Sequence, residues 1–174
     1  GVWSTLLVTK IVLAVIGIVV AFGLMLANLW LAERVDPLLV EPGPGEEIGR
    51  RYRRWAHSRN WWVLLGASGV FGVILGLGVA GWWEDWLLFV NHQAFGVTDP
   101  VFNRDISFYV FQVPFWRDLL GWAFQFVIVA LLVGTAFHYL RGNIRVHSRG
   151  LRAAPGAKVH LSVLLAILAV LKAL

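Results

Sequence analysis

Five side chains combine a strongly polar or ionisable group with an apolar neighbourhood, and any chemistry in this chain would start from them. His138 and His160 each fall near the end of an apolar run, and two imidazoles at similar depth on adjacent helices could hold a haem or another metal as axial ligands. Against that, both stand close to the headgroup region, they form a single pair, and small residues that would make room for a macrocycle are not evident beside them. Interfacial hydrogen bonding is the expectation, and no cofactor or metal is assigned. Lys10 and Lys172 lie within apolar runs, and a charge inside a bilayer marks ion or proton relays, or the partner of a buried acid. Those runs contain no Asp or Glu, and a long lysine stem can carry its ammonium up to the headgroups. Asn28, near the end of its run, reads as an interhelical hydrogen-bond donor.

A glycine pattern invites a second chemistry. Gly76, Gly78 and Gly81 satisfy G-x-G-x-x-G, a spacing that cradles a pyrophosphate when it follows a strand and opens a helix. Here it lies inside an uninterrupted apolar run, so a nucleotide site is not expected. The same stretch places Ser68, Gly72, Gly76 and Ala80 at intervals of four, a ridge of small residues on which another helix backbone can approach closely. Helix packing is the expectation there. Glu84, Asp85, Asp99, Asp105 and Asp118 match no calcium loop and no catalytic pair; Asp99 should start a turn, and Asp105 should pair with Arg104 or Arg117. With no cysteine, the chain has no disulfide scaffold, thiolate metal site or cysteine nucleophile. It also lacks a nucleophile elbow, a Walker sequence and an HExxH motif. No catalytic residue is assigned, and an enzyme is not expected.

The elements that must position these residues follow from the solvent. Of 174 residues 59% are apolar and 14% charged, the mean hydropathy is +0.72, and the apolar residues come in long runs. That excludes an ordinary water-soluble globule and makes the bilayer the expected solvent. Four runs stand out, at about residues 5–31, 61–82, 119–140 and 159–174. At roughly 1.5 Å per residue the first is about 40 Å long, the second matches the roughly 30 Å hydrocarbon core, and the fourth reaches only about 24 Å. The fourth is still apolar at Leu174, Gly1 is not an initiator methionine, and no positively charged n-region or small-residue cleavage site marks a signal peptide. The expectation is a helix cut midway, in a piece of a longer protein. Trp3, Trp30, Trp61, Trp62, Trp82, Trp83, Trp116 and Trp122 fall at or near the run ends, where an indole buries its ring and keeps its N–H among headgroups.

Charge sets the expected orientation. Loop 33–60 carries Arg34, Arg50, Arg51, Arg53, Arg54 and Arg59, and loop 141–158 carries Arg141, Arg145, Arg149, Arg152 and Lys158. Segment 83–118 has only Arg104 and Arg117. The positive-inside rule puts the two basic loops in the cytoplasm and segment 83–118 outside. The net charge of +5 is then chiefly a topogenic signal, with attraction to anionic lipids as a consequence; nucleic-acid binding is not expected, because the arginines are juxtamembrane. Glu41–Glu47 (EPGPGEE) reads as an irregular connector and IGRRYRRWAHSRN as an interfacial helical turn. In the outer loop, WWEDWLLFVNHQAF sets Trp82, Trp86, Phe89 and Val90 at helical spacing, a short helix lying on the membrane. Beyond the Asp99-Pro100 turn, ISFYVFQV is expected to be extended, with Pro114 as the breaker before the third span.

The string FGVTDPVFNRDISFYVFQVPFWRDLLGW, followed by an apolar run and YLRGNIR, closely resembles the signature region of uncharacterised protein family UPF 0182, a family of large bacterial multi-pass membrane proteins. STLLVTK and NLWLAERVDP are similar to that family's second helix and its exit, and LRAAPGAKVHLSVLLAILAVLKAL to the start of a later helix. The resemblance covers nearly the whole chain. It implies several N-terminal transmembrane helices before a large extracytoplasmic portion, so that this chain lacks the first helix and most of the C-terminal part. It implies no activity.

The chain is therefore read as an all-α, multi-pass segment of a bacterial plasma-membrane protein, with three complete spans, a cut fourth and an interfacial helix in the outer loop. Two functions follow. One is structural: the spans anchor a larger protein or dock laterally on other membrane subunits. The other is transport, along a pathway between helices lined by Lys10, Asn28 or Lys172. The lack of membrane-embedded acids and broken helices favours the first.

Overall fold

The computed structural model describes residues 2–35, 47–56, 60–147 and 150–174. The Pro/Gly-rich connector falls almost entirely outside them, as do His57 and Ser148. Helix α1 (Val2–Glu33) is followed by α2 (Glu47–Ala56) and α3 (Asn60–Leu77). A 3-10 turn, Gly78–Trp82, carries α3 directly into α4 (Trp83–Val90). Helix α5 (Val113–Arg141) leads into an antiparallel hairpin, β1 (Ile144–His147) and β2 (Gly150–Ala153), and α6 (Pro155–Ala173) follows. Among the described residues four helical stretches are long and apolar enough to cross a membrane: Trp3–Glu33, Trp61–Val90, Phe108–Arg141 and Pro155–Ala173. Uninterrupted helix is the expected solution in lipid, where every unpaired backbone group costs several kcal/mol.

Three expectations change. The ISFYVFQV stretch is not extended: Phe108–Gln112 forms a π turn that runs into α5, with the Val113 N–H reaching the Phe108 carbonyl. Pro114 supplies the reason, since it has no N–H to offer the carbonyl four residues back and its ring crowds that carbonyl, so the preceding turn widens. The third helix consequently starts earlier than residue 119 and takes in Arg117 and Asp118. The fourth starts at Pro155 rather than near 159, with proline in its first turn, where a missing N–H costs nothing. At 19 residues it is long enough to cross. Loop 141–158 holds a hairpin that was read only as a loop, entered through Gly142 in the left-handed region at φ 83°.

The helices run antiparallel in sequence, and their seams show what holds them. On α1 the buried positions Leu13, Gly17, Ala21, Met25 and Leu29 recur every four residues, and on α3 so do Leu64, Ser68, Gly72 and Gly76. These two rows face each other. Phe126, Val127, Ala130 and Phe137 of α5 complete the core. A smaller cluster at the base, Ile144, Ala154 and Ala157 with Val35, Ala153 and Leu161, seats the hairpin against α6. Helix α6 is the least covered, with 6% of its apolar stretch buried.

Candidate functional site

The small-residue ridge is a contact surface between α1 and α3. A Cβ added at Gly76 would fall on the backbone of Gly17 and Ile18, one at Gly72 would meet the Phe22 Cβ at 2.9 Å, and one at Gly17 would meet the Gly76 carbonyl oxygen at 2.6 Å. Only glycine fits there, because backbone rather than flexible side chain stands in the way. Ser68 is fully buried and Ala80 half-buried; the burial row turns at Val79 instead. The matching row on α1, Gly17, Ala21 and Met25, was not singled out from the sequence, although its spacing of four was legible.

At the base of the bundle four side chains, from α1, α5, α6 and the turn between α5 and the hairpin, join in one chain. The Asn143 Nδ2 donates to His138 Nδ1 at 3.0 Å, His138 Nε2 meets His160 Nδ1 at 3.0 Å, and His160 Nε2 meets Asn28 Oδ1 at 3.1 Å. The Asn28 Nδ2 donates to the Ala130 carbonyl at 3.2 Å. A neutral imidazole that accepts at Nδ1 carries its proton on Nε2, so the first link dictates the others: His138 donates to His160, and His160 to Asn28. Every bond points the same way. His138 and Asn143 are fully buried, Asn28 is 6% exposed, and His160 is half-buried.

Sequence and fold together explain why these residues meet. His138 lies one turn before the left-handed Gly142 that ends α5, and the Asn143 N–H folds back to the His138 carbonyl at 2.8 Å, bringing the carboxamide over the ring. Gly134, one turn earlier, leaves room: a Cβ there would lie 3.6 Å from the Asn28 Nδ2 and 3.7 Å from the His160 Cε1. Asn143 also leans on the end of α1, its Nδ2 3.5 Å from the Val35 carbonyl, while its Oδ1 is buried with no hydrogen-bond partner among the described residues. Beside the chain, Arg141 donates to the Glu33 carbonyl at 3.2 Å and lies 4.0 Å from the Glu33 carboxylate.

A haem iron held between His138 and His160 as trans axial ligands does not fit. Two such metal–imidazole bonds of about 2 Å each need roughly 4 Å between the ligating nitrogens, and the facing nitrogens are 3.0 Å apart and hydrogen-bonded, with the rings at 74°. Nor are the other polar residues gathered here. Lys10 is exposed near the far end of α1, its Nζ 5.1 Å from the Trp83 ring centre, and Lys172 is near the far end of α6, 5.9 Å from that of Phe124. Lys10 and Asn28 are about 27 Å apart along α1, so these three residues do not meet in one site.

The opposite end is aromatic. The ring of Phe89 stands 4.7 Å from that of Phe115, Trp86 5.5 Å from Phe115, and Trp82 6.4 Å from Trp122. Trp122 is turned inward, donating from Nε1 to the Leu75 carbonyl at 3.0 Å, whereas Trp3, Trp61 and Trp62 are exposed. The adjoining loop, residues 91–107, is tied by Asp105, whose carboxylate accepts backbone N–H bonds from Phe95 (3.1 Å), Gly96 (2.9 Å) and Ser107 (2.8 Å). The bonds from Ser107, then those from Phe95 and Gly96, hold its pKa down at about 2. These donors take the place of the expected ion pair with Arg104 or Arg117; Arg104 lies instead over Phe108 at 4.8 Å. Asp99 does start its turn, accepting the Val101 N–H at 2.7 Å.

Compared with known families, residues 1–174 match the Uncharacterised protein family (UPF0182) along the whole chain. The chain belongs to this family. Among relatives, a UPF0182 protein of Streptomyces coelicolor is 40% identical over 178 residues, one of Salinispora tropica 42% over 174, and one of Frankia casuarinae 43% over 172. Each alignment covers 99% of this chain and 17% of the relative, so the chain spans about a sixth of the length of the curated UPF0182 proteins it matches. No solved structure matches it.

Asn143 was the member of the polar chain missed in sequence. It sits in YLRGN, just past a helix end, where Gly-Asn reads as turn chemistry. Nothing local points to a partner on another helix.

Proposed function

We propose that this UPF0182 segment is a membrane-embedded anchoring and docking unit of a larger bacterial plasma-membrane protein, without a catalytic role of its own. The observation that carries the reading is the bareness of α6: its apolar stretch is 6% buried, and Val159, Val163, Leu165 and Val170 are all exposed, yet its base is pinned to α1 and α5 through His160. A helix that packs one face on the core through Leu164, Leu168 and Leu171 and leaves the other bare offers a face for lateral packing, on further helices of the same protein or on neighbouring subunits. Loops 33–60 and 141–158, with their arginines, lie on the cytoplasmic side in this reading and touch anionic headgroups there.

A photo-crosslinking residue at Val163 or Val170 of the full-length protein in native membranes tests the docking role. Discrete protein adducts are expected at both positions; adducts to lipid alone would defeat it. A cysteine at Ser148 should react with a membrane-impermeant maleimide only after the cytoplasmic face is opened, and labelling of intact cells would reverse the orientation.

A further inference from the structure

We propose that the Asn143–His138–His160–Asn28 chain is a buried proton-binding site that accepts one proton for its two imidazoles and reports its occupancy through the Asn143 carboxamide. This goes beyond the docking role and does not depend on it.

The argument is one of hydrogen-bond polarity. In the neutral chain the lone pair of His160 Nδ1 takes the Nε2–H of His138, and the lone pair of His138 Nδ1 takes the Asn143 amide. An incoming proton binds the His138 Nδ1 lone pair, turning that nitrogen from acceptor to donor. It then faces the Asn143 Nδ2, also a donor, and the pair repels. Turning the Asn143 side chain end for end brings its Oδ1 to the new N–H. That oxygen is buried and unpartnered in the neutral chain among the described residues, so the turn gives it a bond and removes the donor–donor contact, at the cost of the Nδ2 contact with the Val35 carbonyl. The backbone need not move, because the Asn143 N–H and carbonyl are held separately, on the His138 carbonyl and the Ala154 N–H at 2.8 Å each.

The charge is then shared. Breaking the His138 Nε2–H bond and forming a His160 Nδ1–H bond across the 3.0 Å gap moves the positive charge to His160 and leaves His138 as the Nδ1–H tautomer, with no net gain or loss of protons. A second proton is refused: both nitrogens facing each other across that gap would carry hydrogen. Charged and titratable groups stand around the pair. Arg141 on α5 is engaged by Glu33 of α1, Arg145 on β1 bonds the Gly142 carbonyl at 3.3 Å, Tyr52 of α2 packs on Phe137, and Lys158 on α6 is exposed. Among the described residues no carboxylate contacts either imidazole. The consequence of occupancy lies at Val35, whose carbonyl faces Nδ2 in the neutral chain and Oδ1 after the turn. Protonation thus loosens the tie between the hairpin and the end of α1.

Nitrogen-15 spectra of labelled histidine in the full-length protein, reconstituted in lipid nanodiscs and titrated from neutral pH downward, test this, with His138→Gln and His160→Gln used for assignment. The expected result is Nε2–H tautomers on both rings at neutral pH and uptake of one proton by the pair on acidification, seen as loss of one unprotonated Nδ1 signal. Two independent single-histidine titrations, or an Nδ1–H tautomer on either ring at neutral pH, would overturn the proposal. Asn143→Asp offers His138 acceptors only, so its His138 should rest as the Nδ1–H tautomer; an unchanged tautomer counts against the relay. Asn143→Leu removes the acceptor and should weaken proton binding about tenfold or more. Unaltered binding in that variant would show that the carboxamide takes no part.

Discussion

At the aromatic end of the bundle, Trp82, Trp86, Phe89, Phe115 and Trp122 meet at ring separations of 4.7 to 6.5 Å and a range of angles, whereas at the basic end Asn143, His138, His160 and Asn28 meet through single hydrogen bonds of 3.0 to 3.1 Å. The first closure is made of area. Ring pairs add about 0.5–1.5 kcal/mol each beyond their burial, and each depends only loosely on geometry. The second is made of direction, and each member fixes the tautomer or amide orientation of the next. One end can lose a ring and repack, while the other loses its polarity with any member. Between the two ends runs the α1–α3 seam, on which both depend.

That seam gives the largest expected effect. In Gly76→Leu the new side chain meets the α1 backbone at Ile18 and Gly17, and neither can yield without separating the helices. A loss of about 3 kcal/mol or more is expected, at or above the usual range for overpacking. Reversible unfolding in mixed micelles would measure it. An unchanged midpoint would mean that the seam is looser than the packing shows, and the contrast between the two ends would lose its common support.

Next comes the directional end. His160→Leu leaves the His138 Nε2–H without an acceptor and the Asn28 Oδ1 without a donor. In a membrane interior such losses cost about 1–2 kcal/mol. The effect should be local to α6, the helix with least other burial, so amide exchange in Pro155–Ala173 should quicken while exchange in α3 and α4 stays as it was. Uniform quickening would show that the two ends are not separable.

The contrast also explains what could be read from the sequence. Apolar runs, tryptophans at their edges and the four-residue ridge at Ser68, Gly72 and Gly76 are periodic, and periodicity survives without coordinates. The helical spacing of Trp82, Trp86 and Phe89 was legible for the same reason. Asn28, His138, Asn143 and His160 have no such rhythm, since their meeting depends on where α5 stops, how Gly142 turns and how α6 returns. The hairpin was overlooked although Ile144, Val146, Leu151 and Ala153 alternate with Arg145, His147 and Arg152, because four-residue strands lie at the short limit of a readable pattern. The π turn was misread for a different reason: β-branched and aromatic residues suit a strand, but they suit a lipid-facing helix equally well, and Pro114 was credited only with breaking a helix.

A smaller effect is expected where Asp105 ties the loop beside the rings. Its folded pKa is depressed to about 2 from an ordinary 3.8, so its contribution to stability is complete above pH 3.8 and is lost as pH falls toward 2. Resonances of Phe95, Gly96 and Ser107 should shift together in that window, with the helices unaffected. In Asp105→Asn the pH dependence should vanish and the loop be looser throughout. A loop that titrates identically in the variant would show that the tie is not this carboxylate.

The smallest effect should have the opposite sign. Tyr52 of α2 packs edge-on against Phe137 of α5 at 6.5 Å, and its Oη is buried without a hydrogen-bond partner among the described residues. Burial raises its pKa above 10, with Arg141 opposing and Glu33 adding to the rise. The neutral phenol's contribution is therefore whole below pH 10 and declines above it, where the unfolded chain ionises first. Tyr52→Phe keeps the ring contact and removes the stranded hydroxyl, so stability should rise by up to about 1 kcal/mol and the alkaline decline should disappear. A loss of stability instead would reveal a partner for that hydroxyl and would extend the directional network of the basic end from α1, α5 and α6 to α2.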